Sequence, residues 1–289
     1  MVNAVPLTIA FVIVIFNLIG HFGNFNLIFA TLNSKNLQSK HGWLLIILCS
    51  EHSLCLLFEF INVYFALTGI HISRRKCLLL LSPYICISLL QATTFMTLAI
   101  DVLLSCTYAI KYQKWNTFRY CLLLTLLPVV IPVGFMVIVW SRVSDDIVFL
   151  CNPPLSMDEK TVHVWAGFLT SVNVLILLIY GYVYCYARQK NKRTRHARNT
   201  EKVMRSLTIL VLVFCFSWVT CMGLVFLVEY VTSNELIIVL VRSYAVVFAA
   251  IAYSQTFYVY FIRSDMYRRE FKKQLCSSNR TVKMVSKSN

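Results

Sequence analysis

Charge is what this chain has least of. Only 13% of its 289 residues are Asp, Glu, Lys or Arg, while 58% are hydrophobic. A soluble domain of this size carries about 25% charged residues to keep its surface wet. A water-covered globule is therefore excluded, and most of the surface must face an apolar medium. Acidic residues are especially scarce, 12 against 27 basic, which leaves a net charge of +15. So basic a chain invites a nucleic-acid reading, but the Lys and Arg lie between apolar runs and form no single stripe, so nucleic acid is not an expected partner. No Cys-x-x-Cys pair occurs among the 11 cysteines, which leaves metal-binding and thioredoxin-type readings without support. Most of the cysteines (Cys49, Cys55, Cys86, Cys106, Cys121, Cys185, Cys215, Cys221) lie inside apolar runs and read as small packing residues. The first residues carry no Lys or Arg, and the first apolar run is too long for the core of a cleavable signal. It reads as a signal anchor.

What the chain does have is apolar length. A helix needs about 20 apolar residues to cross a bilayer, and seven segments qualify: Val5–Thr31, Gly42–Ile70, Cys77–Ile110, Phe118–Trp140, Thr161–Ala187, Val203–Val231 and Leu236–Ile262. The second and third exceed the need, which predicts tilt or ends that protrude into water. The fold class is all-α, a seven-transmembrane helix bundle. No internal repeat is visible, so 1–276 reads as one domain and 277–289 as a flexible tail.

Most of the Lys and Arg fall in the loops 32–41, 111–119 and 188–205 and in the tail, all on one side of the membrane. Arg74, Arg75, Lys76, Arg142 and Lys160 lie on the other. The positive-inside rule predicts an outside N-terminus and a cytosolic C-terminus. The sequon Asn279-Arg280-Thr281 then lies on the cytosolic side and is expected to be unused.

Polar residues inside the spans carry the functional reading. Asn24, after Gly23, sits midway through the first span, and Glu51 midway through the second. Both need partners in lipid and are expected to face each other. With these two, the chain begins to resemble the rhodopsin-like G-protein-coupled receptors, which pair a Gly-Asn in the first helix with an acid, usually Asp, in the second. The resemblance implies a sodium and water cluster at Glu51 that couples to activation. It also implies a disulfide between Cys77, at the head of the third span, and Cys151, before the fifth. Asp101-Val102-Leu103 occupies the place of the family's Asp-Arg-Tyr. Val102 replaces the Arg that meets the G protein and pairs with the acid, leaving Lys111 or Arg205 to partner Asp101. Tyr112 matches a Tyr that recurs in the next loop, while Ala109 replaces a Pro. Phe214 and Trp218 match the sixth-helix aromatic pair whose Trp floors the pocket. Ser217 and Thr220 depart from its Cys and Pro, and Thr220 can still bend a helix weakly. Of the seventh-helix Asn-Pro-x-x-Tyr only Tyr258 survives. Arg263–Phe271 resembles the family's short amphipathic helix along the membrane, with Met266, Tyr267 and Phe271 on one face. Cys276 follows as a candidate for lipidation.

The resemblance covers Gly23 to Phe271. The short N-terminus and loops, the Tyr after the third helix and Ser264-x-x-Tyr267-Arg268 are most similar to nematode serpentine chemoreceptors of the sx class. It implies a chemosensory receptor of the plasma membrane that binds an extracellular small molecule or peptide and activates a heterotrimeric G protein. Residues expected near that ligand are Gln91, Asn173, Trp218, Phe226, Glu229, Arg242 and Tyr244, although Glu229 and Arg242 can equally pair with each other. No cofactor is implied.

Other classes are less supported. A transporter should show charged groups along a path and inverted repeats or broken helix pairs, which are not evident. A retinal pigment needs a Lys in the seventh span, which has none. An intramembrane enzyme needs paired catalytic groups, and His21 and His52 have no accompanying Ser motif. A non-signalling receptor partner remains open because Val102 has replaced the coupling Arg.

Overall fold

A computed structural model of the chain describes residues 4–148, 150–190 and 195–274. Among them, seven helices are long and apolar enough to cross a membrane. The first three spans are α1 (Ala4–Asn33), α2 (Lys40–Thr68) and α3 (Arg74–Thr107). A short helix α4 (Ala109–Lys114) leads to the fourth span, which is divided into α5 (Thr117–Leu126), a 3-10 turn at Leu127–Val129 and α6 (Val130–Arg142). A single turn, α7 (Pro153–Ser156), precedes the fifth span α8 (Glu159–Lys190). The sixth and seventh are α9 (Arg195–Val231) and α10 (Glu235–Arg263), and a last helix, α11, covers 265–274. Residues 277–289, the sequon and Cys276 lie outside the described residues.

The spans match the apolar runs with two differences. Pro128 has no N–H to give its helix, and the fourth span breaks into a 3-10 turn there where one continuous helix was expected. The sixth helix starts at Arg195 rather than Val203 and has 37 residues, about 55 Å of helix. That exceeds a hydrocarbon layer of about 30 Å, so its basic first turns stand clear of it.

Local signals set the ends. Ser39 and Ser73 cap α2 and α3 by accepting from the backbone N–H of Gly42 and Lys76. Gly69, at φ 63°, closes α2 in the left-handed conformation. Between the spans, Ile72–Ser73 and Ile147–Val148 form a two-residue antiparallel ladder. Beside it Cys77 and Cys151 are joined, with S–S 2.15 Å and Cα–Cα 5.5 Å. Ladder and disulfide together hold the 143–158 connection against α3, at what is called here the disulfide end of the bundle. Asp101 marks the opposite end.

α3 runs through the middle and buries residues along its whole length, from Cys77 to Val102. α1 packs on α2 and α10. Lipid offers no hydrophobic force to press helices together, so small residues that let backbones approach must do it. A Cβ at Gly20 would lie 2.4 Å from Leu56 Cδ1, and one at Gly23 2.9 Å from Phe257 Cβ. The fourth span is peripheral. The described residues it buries are Cys121, Pro132, Phe135 and Val139, and the Leu and Val side chains of its outer face are exposed, as a lipid-facing helix requires.

Candidate functional site

A cavity of about 210 Å³ opens at the disulfide end. α1 contributes Ile9 and Ile13, α2 Asn62 and Phe65, α3 Tyr84, α8 Trp165, α9 Trp218 and Met222, and α10 Arg242. Leu150, Asn152, Pro153 and Pro154 of the tethered connection form one wall, so the disulfide helps to define the space. The lining is largely apolar and aromatic, with a few polar groups, as small-molecule sites are. Trp165 and Trp218 meet edge to face at 6.5 Å between centroids, and both are buried with indole N–H groups that have no hydrogen-bond partner among the described residues.

Just behind Asn62 and Tyr84 lies a polar cluster. Asn62 Nδ2 donates to Glu59 Oε2, and the Glu59 carboxyl lies beside the Tyr84 hydroxyl. The Tyr84 and Tyr253 hydroxyls are 2.8 Å apart. Glu59 is 0% exposed, so α2 carries an acid through the centre of the bundle. Sequence reasoning named neither Asn62, Tyr84 nor Trp165 and gave Glu59 no role. The available signal was Glu59-x-x-Asn62, two polar side chains on one face of an intramembrane helix.

The expected ligand residues separate. Trp218 and Arg242 line the cavity; Arg242 also donates from Nε to the Val225 carbonyl at 3.2 Å. Phe226 does not line it: it stacks on His163 at 5.0 Å and lines a second space of about 160 Å³, shared with Arg242. Gln91 is corrected by depth. It lies two turns beyond Tyr84 on α3, about 10 Å further into the bundle, where its Oε1 accepts from Cys55. Asn173 is likewise too deep. Its side chain bonds back to the Leu169 carbonyl at 2.9 Å, level with Cys215 and below Trp218. Tyr244 faces the flank, with its hydroxyl 2.9 Å from Thr8 Oγ1. The side chain of Glu229 lies outside the described residues.

From the cavity an aromatic column descends. Trp218 contacts Phe214 and Tyr253 at 6.3 and 6.2 Å, and Phe214 stacks on Phe95 at 3.8 Å. α9 runs through Thr220 as unbroken helix. Asn24 and Glu51 are not bonded to each other: Asn24 Nδ2 donates to the Tyr253 carbonyl at 3.2 Å, and Glu51 Oε1 accepts from Thr94 at 3.0 Å. A cation at Glu51, as the resemblance implies, would have Glu51 Oε2, which has no hydrogen-bond partner among the described residues, as a ligand. Tyr258 packs against Gly23 and donates to the Ile19 carbonyl at 3.0 Å. It therefore serves the α1–α10 seam.

At the other end Asp101, 2% exposed, collects three partners. Tyr112 and Tyr120 donate to Oδ1 at 2.7 and 3.0 Å, and His41 Nδ1 lies 3.3 Å from Oδ2. His41 Nε2 is 2.9 Å from the Tyr260 hydroxyl, which ties α2, α3 and α10. Lys40 donates to the Tyr112 carbonyl and stands 4.2 Å above its ring. Burial, then the Asp101 charge, raises the Tyr112 hydroxyl above the usual phenol range, so it remains a donor. These partners replace the expected Lys111; Arg205 has a side chain outside the described residues. Val102 is buried in the apolar core.

α11 lies against the bundle. Phe271 packs on Phe257 at 4.5 Å and Tyr267 on Tyr260 at 4.8 Å, while Met266 is exposed and leaves the expected apolar face. Its Arg and Lys residues line the other side.

A family model described as serpentine type 7TM GPCR chemoreceptor Srsx matches residues 17–275. No curated protein gives a significant match.

Proposed function

The chain belongs to the serpentine seven-transmembrane chemoreceptor family Srsx, and from that premise we propose that it binds an extracellular small molecule in the cavity at the disulfide end and activates a heterotrimeric G protein at the Asp101 end. It is a multi-pass plasma-membrane receptor of the G-protein-coupled, chemosensory kind. The disulfide end faces outside and the basic α8–α9 connection and α11 face the cytosol, in accord with the distribution of Lys and Arg.

One observation carries this reading. Trp218 lines the cavity and is also the top of the column Trp218–Phe214–Phe95, so whatever fills the cavity touches a side chain of α9 that packs on α8 and α10 and, through Phe214, on α3. A ligand that prefers one packing of that column shifts the two states of the receptor by its differential affinity, and about 1–3 kcal/mol of coupling is enough for a useful switch. At the far end the Asp101–His41–Tyr260 contacts hold α3, α2 and α10 together in the closed state, in place of the Arg that Val102 has displaced.

The test is G-protein activation in cells that co-express the chain with G-protein subunits, across small odorants and short peptides. A saturable response in the wild type, lost in Trp218→Ala at equal surface expression, is expected. A response that survives Trp218→Ala unchanged would place the ligand elsewhere.

A further inference from the structure

The ligand's chemistry is legible in the groups behind the cavity. Glu59 is fully buried on α2, and among the described residues no Lys, Arg or His forms an ion pair with it. Asn62 and Tyr84 are its hydrogen-bonding neighbours, and among the described residues its Oε1 has no partner within hydrogen-bond distance. It lies within electrostatic reach of Cys55, Cys221 and Tyr253, so it sits where α2, α9 and α10 converge rather than at a lipid-facing edge. Its two hydrogen-bonding neighbours, Asn62 and Tyr84, are cavity-lining residues, as is Cys221. Asn62 turns its Nδ2 to Glu59 and leaves its Oδ1 without a partner.

A buried carboxyl with no cation beside it is costly in a low-dielectric interior and is retained where it has a use. Both unpartnered atoms of this cluster, Glu59 Oε1 and Asn62 Oδ1, are acceptors, and of the two residues only Asn62 lines the cavity, with Glu59 behind it. A ligand that bonds to Asn62 Oδ1 must donate, and one that also carries positive charge compensates the acid behind it. Most of the rest of the wall is aromatic and aliphatic, with Phe65, Trp165, Trp218 and Met222 around the space and Asn152 and Arg242 as its other polar side chains; the aromatic faces also favour a cation, while the two indole N–H groups can take an acceptor on the same ligand. Arg242 is at the wall shared with the second space, donates to Val225 and forms no ion pair with Glu59. The volume sets the size. A dry cavity of about 150 Å³ holds benzene, and about 210 Å³ adds room for a short chain.

We infer that the cavity takes a small aromatic or aliphatic primary amine, its ammonium received by Asn62 Oδ1 with Glu59 as the counter-charge. This rests on the receptor reading above for its biological sense, but it concerns binding alone.

The test uses the full chain, purified in detergent, and reads the shift in thermal midpoint with three matched probes: 2-phenylethylamine, 2-phenylethanol and 3-phenylpropanoate. Benzylamine and 4-phenylbutylamine bracket the amine in length. The amine series is expected to give a saturable rise, with the neutral and anionic probes weaker by roughly tenfold or more, the scale of one charge-assisted hydrogen bond. Glu59→Gln is expected to bring the amine down to the level of the alcohol; if that variant does not fold, Asn62→Leu reads the same preference. Equal shifts from amine and alcohol, no shift from any amine, or a preference that survives Glu59→Gln overturns the inference. Each of those outcomes leaves a receptor for another ligand class intact. Amine binding that never produces G-protein activation has the opposite meaning: the site stands and the receptor reading falls.

Discussion

His41 Nδ1 lies 3.3 Å from Asp101 Oδ2, and through its other ring nitrogen His41 reaches Tyr260 at 2.9 Å. One imidazole thus joins three spans at the end that is proposed to meet the G protein. Asp101 is the residue that the Asp-Arg-Tyr motif would pair with its neighbouring Arg. Here its partners come from α2, α4 and α5 instead, and the latch no longer depends on position 102.

His41→Leu removes both contacts. Net contributions of about 0.5–1.5 kcal/mol per hydrogen bond make about 1–3 kcal/mol for the two, a shift of roughly fivefold to a hundredfold between states. Ligand-free G-protein activation should therefore rise by that factor at constant surface expression. Unchanged basal activity would show that these contacts do not restrain the closed state.

Val102→Arg restores the family's residue type but not its function. Val102 is buried, and a guanidinium forced into that space is both too large and poorly solvated. The expected outcome is a lower thermal midpoint and less protein at the cell surface, with no gain in coupling. A variant that expresses normally and signals more strongly would mean that the site is latent.

Gly42 tests the turn into α2. A Cβ there would lie 1.9 Å from the Leu37 carbonyl oxygen, so Gly42→Ala must push backbone aside. Gly134 on α6 has nothing within 4 Å, and Gly134→Ala is the matched control, neutral or slightly stabilising. A thermal midpoint lowered by Gly42→Ala but not by Gly134→Ala is expected.

Cys77→Ser opens the disulfide that spans a sequence separation of 74 residues. Loss of such a bridge costs about 2–5 kcal/mol, and here it also releases Leu150–Pro154 from the cavity wall. Both the thermal midpoint and ligand response should fall. Loss of stability with an unaltered ligand response would mean that the loop is not part of the site.

The seven spans were legible because bilayer thickness imposes a length that few other structures need, and the Cys77–Cys151 bridge was legible through the family resemblance. Helix rotation and depth were not. Residues facing lipid and residues facing the bundle are both apolar, so periodicity does not say which way Phe226 or Tyr244 turns. Gln91 and Asn173 were assigned to the cavity by their polarity, yet each is satisfied in part by a near neighbour deeper in the bundle. The partners of Asp101 were hidden for another reason. His41 and Tyr120 come from two helices and look unremarkable until packing brings them to one carboxylate. Glu59 and Asn62 stood one helical turn apart in plain view, but the sequence did not show that Tyr84, Cys221 and a cavity lay next to them.

The central proposal is that occupancy of the cavity at Trp218 is transmitted to a G protein. The direct measurement is nucleotide exchange on a purified heterotrimer, with the purified chain in lipid nanodiscs and an agonist from the cell-based panel. The expected result is agonist-stimulated exchange by the wild type that is abolished in Trp218→Ala, with both proteins folded by thermal melt. Exchange that stays at the level of empty nanodiscs while the agonist binds the wild-type chain would contradict the proposal and favour a non-signalling partner.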